Sequence, residues 1–134
     1  MVKEISAGAI CYKIVNNMYY FLVIKHKNGN HYSFPKGHLN KDESLFECAI
    51  REVKEETNID IKIVNENFTT NTYLMPNGNY KEVYYFLAKA LNDNIKTQDE
   101  EIINAKWLNK EETLKTLTYQ NDKVMFFKYT QSLI

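Results

Sequence analysis

The sequence predicts an α+β fold, because segments with strand character fill most of the chain and one long amphipathic helix interrupts them. Turn signals built from Asn, Gly and Pro separate these segments. With 134 residues and 44% hydrophobic content, the chain carries enough apolar side chains for one core. We therefore expect a single domain over residues 1–134.

The first third of the chain has the composition of β-strands. β-branched and aromatic residues are frequent there, and the pairs Asn16-Asn17 and Asn28-Gly29 predict turns between extended segments. Pro35 then ends the extended region and leads the chain into a loop. Strands are predicted over residues 7–15, 19–26 and 31–34.

A capping box marks the start of the central helix. Glu47 follows Ser44 by three residues, the spacing at which a hydroxyl and a carboxylate satisfy the free amides of a helix start. At about 100° per residue, one apolar stripe is predicted to face the core. It comprises Leu45, Phe46, Ala49, Ile50 and Val53. Glu52, Glu55 and Glu56 fall on a neighbouring arc.

The second half of the chain predicts further strands and two helices. A turn over residues 76–79 and a polar loop over 92–99 separate its extended segments. Asn109 and Glu112 form a second capping-box pattern, which starts a helix over 110–117. Strands are predicted over residues 61–67, 68–74, 81–91 and 105–108, and a last helix over 122–132.

Composition also limits the classes of function. The chain carries 17 basic and 17 acidic residues, so no large electrostatic footprint for duplex nucleic acid is expected. No stretch reaches the roughly 18 apolar residues of a membrane span, and no signal sequence is recognisable. Cys11 and Cys48 form no metal-ligand pair and no disulfide framework, which favours buried free thiols. We expect a cytoplasmic protein without a membrane partner, either monomeric or dimeric.

The acidic arc of the central helix is a candidate metal site. Glu52, Glu55 and Glu56 occupy positions i, i+3 and i+4, so their side chains are neighbours on the helix surface. Close like charges repel, and hard divalent cations take carboxylate oxygens. For the helix taken alone, a solvated acidic face softened by Lys54 and Arg51 is the simpler explanation. The residues upstream favour the metal site.

Eight residues at fixed spacing carry a family resemblance. They are Gly37, Glu43, Arg51, Glu52, Val53, Glu55, Glu56 and Ile59. This segment resembles the Nudix box, written G-x5-E-x7-R-E-U-x-E-E-x-G-U with U an aliphatic residue. The second glycine is replaced by Asn58. That position follows the helix and favours a left-handed backbone, which Asn tolerates best after Gly, so we expect a small cost in stability and unchanged chemistry.

The resemblance implies a Nudix fold, in which a mixed β-sheet is sandwiched between α-helices and the box lies along a cleft. It also implies hydrolysis of a diphosphate linkage with Mg²⁺, or alternatively Mn²⁺, as cofactor. The implied metal ligands are Glu52 and Glu56 as the central pair, Glu55, and the backbone carbonyl of Gly37. Arg51 is expected to orient a glutamate, and Glu43 to support the site or the structure. The box leaves the choice of the general base open.

A further acidic group lies outside the box. Residues 99–101 are all acidic and precede Trp107 by six to eight positions, where many Nudix proteins place another catalytic or metal-binding glutamate. We assign that role to Glu101 rather than Glu100. Simple solvation of a polar loop is the alternative explanation of the triplet.

The flanks resemble one Nudix subgroup, the asymmetrical diadenosine tetraphosphate hydrolases. The similar segments are residues 34–38, residues 81–88, and Glu101 before residues 106–108. In that subgroup, lysines corresponding to Lys36 and Lys81 bind the phosphate chain.

Four other side chains are candidates for substrate binding. By the same resemblance, Tyr73 and Tyr119 are expected to stack an adenine ring, and stacking tolerates different bases. His31 and His38 are candidates for hydrogen bonds or proton transfer. An exposed loop position is the alternative for both histidines.

The sequence therefore predicts that diadenosine tetraphosphate is hydrolysed to ATP and AMP. A dinucleoside polyphosphate or a nucleoside triphosphate is the expected partner. Three alternatives remain open at this point. They are a house-cleaning hydrolase of oxidised or noncanonical nucleoside triphosphates, a pyrophosphohydrolase of RNA 5′ ends, and a non-catalytic Nudix module that senses a nucleotide.

Overall fold

The computed structural model describes residues 3–97 and 99–133, and within them the chain forms seven strands and three helices. The strands are β1 (Lys3–Val15), β2 (Met18–His26), β3 (Tyr32–Ser33), β4 (Lys36–His38), β5 (Ile61–Leu74), β6 (Tyr80–Ala90) and β7 (Ile102–Leu108). The helices are α1 (Leu45–Thr57), α2 (Lys110–Thr116) and α3 (Gln120–Tyr129). A short 3-10 helix, Gln131–Leu133, follows.

Strand β1 is the centre of a mixed sheet with the order β3-β2-β1-β6-β5. It pairs in parallel with β6 along one edge. Its other edge is shared by two antiparallel partners, β4 opposite Ser6 and β2 opposite Tyr12. Strand β7 extends the sheet by pairing with β2. The shared edge brings β4, and with it the start of the box, to the middle of the sheet.

Helices cover both faces of the sheet. Side chains along β1 alternate between the two faces, so neighbouring residues of this strand contact different helices. Ala9 and Cys11 belong to a buried cluster with Val53 of α1. Ile10, between them, belongs to the cluster that contains Phe126 of α3. The expected arrangement of a mixed sheet between helices is therefore confirmed.

Both predicted capping boxes are present. The amide of Glu47 donates to Ser44 Oγ at 3.1 Å, and the amide of Ser44 donates to the Glu47 carboxylate at 2.9 Å. Asn109 and Glu112 make the same reciprocal pair at the start of α2. At the end of α1, Asn58 has φ 67°, which confirms the left-handed backbone expected there.

The predicted apolar stripe of α1 is wrong at Ile50, which is 41% exposed. Glu52 and Glu56, in contrast, are buried, with 9% and 5% of their surface exposed. The two glutamates are covered by β4, which the sequence pattern did not predict and which lies against this side of the helix. A solvated acidic face therefore describes Glu55 and does not describe its two neighbours.

Several predicted boundaries differ from the structure because strand pairing overrides local signals. The two segments predicted over 61–67 and 68–74 form one strand, β5, with an irregular register between Ile63 and Phe68. Strand β7 begins three residues before its predicted start, since Ile102 already pairs with β2. The last helix lies over Gln120–Tyr129 rather than 122–132.

Both cysteines are buried and free, which confirms the expectation from composition. Burial raises the pKa of the Cys11 thiol to about 12 and that of Cys48 to about 11. Neither thiol is therefore a reactive nucleophile near neutral pH. In the part of the chain that the structure describes, no helix is long and apolar enough to cross a membrane.

Candidate active site

Strand β4 and helix α1 form one unit around two buried carboxylates. The amide of Lys36 donates a hydrogen bond to Glu56 Oε1 at 3.0 Å. Next to it, Gly37 packs so closely on the helix that an added Cβ would lie 2.1 Å from the carboxylate of Glu52. Glycine is required here because any side chain would displace that carboxylate.

Arg51 is held on the outer side of this unit. Its Nε and Nη2 donate to the two oxygens of Glu43 at 2.6 and 2.9 Å, a two-pronged ion pair. Its Nη1 donates to Glu52 at 3.0 Å, and Nη2 also donates to the carbonyl of His38 at 2.9 Å. The guanidinium therefore ties Glu52 to the loop before the helix, and Glu43 in turn fixes the guanidinium.

The ion pair with Arg51 holds the pKa of Glu43 at about 2. Glu52 and Glu56 show the opposite behaviour. Burial is the largest cause that raises the pKa of both, and negative charges nearby, including Asp99, add to the effect. Burial and the neighbouring Lys81 lower the pKa of the Lys36 ammonium. The carboxylate pair therefore lacks enough positive charge to balance it, which is the environment that a bound divalent cation would relieve.

The donor set fits a hard cation of the magnesium type. Among the residues described, no three His, Cys, Asp or Glu side chains converge as a ready-made metal cage. Mg²⁺ does not need such a cage, because it is usually held by one or two carboxylates and keeps several waters or substrate phosphates. Glu52 and Glu56 could supply those carboxylates. Glu55 is turned outward, with its side chain 54% exposed and 3.3 Å from Arg51.

A cavity of about 550 Å³ opens beside this unit. All six residues predicted to bind substrate lie on its wall, although they are far apart in the sequence. They are His31, Lys36, His38, Tyr73, Lys81 and Tyr119. Gly37 and Glu101 also line it. The predicted metal ligands Glu52, Glu55 and Glu56 do not line the cavity, and Lys36 and Gly37 lie between it and the buried pair Glu52 and Glu56.

The wall of the cavity combines positive charges with aromatic rings. The charges of Lys36 and Lys81 repel each other. Burial lowers the pKa of His26 and of His31, and both lysines lower it further. The aromatic rings form a row. The ring centroids are 4.2 Å apart for His26 and His31, 5.4 Å for His31 and Tyr119, and 6.3 Å for Tyr119 and Tyr73.

Sequence reasoning missed three residues at this site. Asp122 is buried and lines the cavity, where Asn71 and the hydroxyl of Tyr73 donate hydrogen bonds to it. His26 stacks on His31. Asp99 acts on the pKa of both buried glutamates, whereas Glu101 is exposed on the cavity rim. A lone acid in a first helical turn and a histidine at a strand end carry no local signal that could have identified them.

Comparisons with known proteins give a consistent picture. A family model described as the NUDIX domain matches residues 5–129. The asymmetrical bis(5′-nucleosyl)-tetraphosphatase of Caenorhabditis elegans is 29% identical over 131 residues, which are 96% of this chain and 95% of that protein. A crystal structure of a C. elegans Ap4A hydrolase binary complex has a TM-score of 0.89 at 30% identity and 97% coverage of both chains. The m7GpppN-mRNA hydrolase of Saccharomyces cerevisiae is 30% identical over 110 residues, 80% of this chain and 11% of that protein.

Proposed function

The chain belongs to the Nudix family of hydrolases, which typically use a divalent metal ion, and on this basis we propose that it hydrolyses diadenosine tetraphosphate (Ap4A) to ATP and AMP. The observation that carries the proposal is the cavity, whose wall combines Lys36 and Lys81 with a row of aromatic rings, and which Lys36 connects to the buried Glu56. The similarity to the C. elegans tetraphosphatase supports it, because that similarity extends over nearly the whole of both chains.

Two groups of cavity residues bind different parts of the substrate in this proposal. Lys36 and Lys81 bind phosphate oxygens as point charges. Tyr73 and Tyr119 stack on a nucleobase, an interaction that contributes about 1–3 kcal/mol per base. Because stacking tolerates different bases while the lysines have fixed positions, the enzyme selects the length of the phosphate chain more strictly than the base.

Carboxylates of this chain have two roles in the proposed reaction, to bind the metal ion and to accept a proton. Glu52 and Glu56 would hold the divalent ion, and Arg51 donates a hydrogen bond to Glu52 that orients its carboxylate. When bound, the ion neutralises phosphate charge and lowers the pKa of a water molecule. The oxygen of water bonds to one phosphorus, the bridging P–O bond breaks, one proton is released, and ATP and AMP leave. The buried glutamates, Asp99 and Glu101 are the candidates for the group that accepts this proton.

A second candidate is supported by the similarity to the yeast mRNA hydrolase, namely hydrolysis at the 5′ end of RNA. The aromatic wall and the lysines would serve such a terminal nucleotide as well. The similarity covers 11% of the yeast protein, so it is confined to a small part of that chain. The match in length and coverage therefore favours the dinucleotide.

Product identification tests the proposal. The purified protein is incubated with Mg²⁺ and, in parallel, with Ap4A, oxidised dGTP, 5′-triphosphorylated RNA and capped RNA, and products are separated by chromatography. We expect Ap4A to be converted fastest, to equimolar ATP and AMP. A faster release of pyrophosphate from oxidised dGTP, or of a 5′ product from RNA, would contradict the proposal. Tight binding of a nucleotide without turnover of any substrate would identify a sensor module instead.

A further inference from the structure

Asp122 is a buried carboxylate that the proposed reaction does not use. It lies in the first turn of α3 and is 1% exposed. Its Oδ1 accepts a hydrogen bond from Asn71 Nδ2 at 2.9 Å and another from the hydroxyl of Tyr73. Among the described residues, no hydrogen-bond donor reaches its Oδ2. The carboxylate is therefore only half satisfied.

Such a group costs stability, because a buried polar atom without a partner loses its hydration and gains nothing in return. Lys36 and His31 are close enough to affect it electrostatically, but neither makes a hydrogen bond to it. Asp122 lies at the cavity wall but is only 1% exposed, so it offers almost no surface to a ligand. Any contribution to binding must act through the groups that it holds.

The group that it holds is the ring of Tyr73. This residue lies on β5, the last strand at one edge of the sheet, directly opposite Lys81 of β6. Its ring meets that of Tyr119 edge to face, with the ring planes at 64°. Tyr119 precedes α3 immediately and stands three residues before Asp122. One carboxylate thus ties the edge strand to the helix that carries the second tyrosine.

We propose that Asp122 is a positioning residue, which fixes the ring of Tyr73 relative to Tyr119 before a nucleoside binds in the cavity. The inference rests on the proposed function for the identity of the substrate, but it concerns the tyrosine pair itself. A free tyrosine at a sheet edge would have to be ordered at each binding event. Prior ordering removes that entropic cost from the binding step.

The expected effect is a change in binding without a change in the chemical step. Releasing one side chain corresponds to a loss of affinity of about 3- to 10-fold. Since the ring contacts the substrate equally before and during the reaction, KM should rise while kcat stays constant. A general loss of structure would lower kcat or the fraction of active enzyme instead.

The test compares four substitutions in the full chain. Asp122→Ala removes the acceptor, Tyr73→Phe removes the donor and keeps the ring, and the double variant removes both. Asp122→Asn retains an oxygen in the same place. Tyr84→Phe is the matched control, because its hydroxyl donates to Glu82 at 2.6 Å away from the cavity.

Three quantities are measured for each variant: kcat and KM for Ap4A by steady-state kinetics, and the affinity for AMP by calorimetry. We expect Asp122→Ala and Tyr73→Phe to raise KM and weaken AMP binding by the same 3- to 10-fold factor, and the double variant to be no worse than either. Asp122→Asn and Tyr84→Phe should retain native values.

Two results would overturn the inference. One is native affinity in Tyr73→Phe, which decides the question even if Asp122→Ala fails to fold. The other is an additive effect of the two substitutions, which would mean that Asp122 acts on something other than Tyr73. If the native protein leaves Ap4A intact, the proposed function fails, and the AMP affinities still test the tyrosine pair separately.

Discussion

At the scale of single residues, the important feature is the pair of Glu52 and Glu56, whose burial disfavours the charged form of both carboxyl groups. Glu56 is 5% exposed and accepts a backbone hydrogen bond from Lys36, yet burial and Glu52 raise its pKa. A buried pair of like charges is costly, and a bound divalent cation would relieve that cost.

Replacing Glu56 by Gln should lower the rate of hydrolysis by more than about 100-fold, since even groups behind the metal ligands contribute 10- to 100-fold. The amide oxygen of glutamine can still accept the hydrogen bond from the Lys36 amide, so the melting temperature should not fall. Steady-state rates with saturating Mg²⁺ and thermal unfolding are the two measurements.

Glu66→Gln is the control for this substitution, because Glu66 is an exposed glutamate on β5. It should retain the native rate. Chelation of divalent ions should abolish the activity of the native protein, and added Mg²⁺ should restore it. A native rate in Glu56→Gln would remove Glu56 from the metal site.

At the scale of elements, α1 begins and ends at residues whose conformations are fixed locally. Ser44 and Glu47 close its first turn, and Asn58 ends it with a left-handed backbone. The side chain of Asn58 also donates a hydrogen bond to the carbonyl of Asn94 at 3.1 Å, which a glycine could not do. The replacement of the box glycine by Asn is thereby partly compensated.

Substitutions at Asn58 should separate the backbone effect from the side-chain effect. Asn58→Ala should destabilise the fold by about 1–2 kcal/mol, because alanine keeps a Cβ in the left-handed region but lacks the polar side chain that makes Asn tolerant of it and that donates to Asn94. Asn58→Gly should change stability by less than about 1 kcal/mol, since relief of strain offsets the lost hydrogen bond. Urea unfolding gives both values, and equal losses for Ala and Gly would show that backbone strain is not the cause.

At the scale of the whole molecule, the cavity depends on strands and a helix that are distant in sequence. His26 ends β2, Lys36 begins β4, Lys81 lies on β6 and Asp122 lies on α3. Their charges share one poorly solvated space. Burial, then Lys36, His31 and Lys81, lower the pKa of His26 to about 3. The assembled cavity therefore keeps this imidazole neutral.

Neutral His26 predicts a loss of stability in acid. Its ordinary pKa is 6.5 and its folded pKa is about 3, so between these values the unfolded chain binds a proton that the folded protein does not. Stability should therefore fall as pH decreases from about 6.5, by up to about 1.4 kcal/mol per pH unit for one proton. Unfolding of native protein and His26→Gln at several pH values measures this, and identical slopes for the two would contradict the assignment.

Local patterns were sufficient for much of the fold. The two capping boxes, the end of α1 at Asn58 and the strand character of β1, β2 and β6 follow from short-range chemistry, and the structure confirms them. The failures occurred where distant segments meet. Glu52 is buried because β4 packs on the helix, and β5 is one strand because it pairs with β6 on both sides of its irregular stretch.

The sequence by itself determined the family and the chemistry of the box, because those depend on residue types at fixed spacing along one loop and one helix. The tertiary structure decided which residues meet across the cavity. Asp122 and His26 carry no recognisable signal in the sequence, since their environment comes from elements far away along the chain. Asp99 lies in the acidic triplet, but the sequence does not show that it is the member close to Glu52 and Glu56. The burial of a side chain and the charges that act on it depend on all residues packed around it, and only folding defines which residues those are.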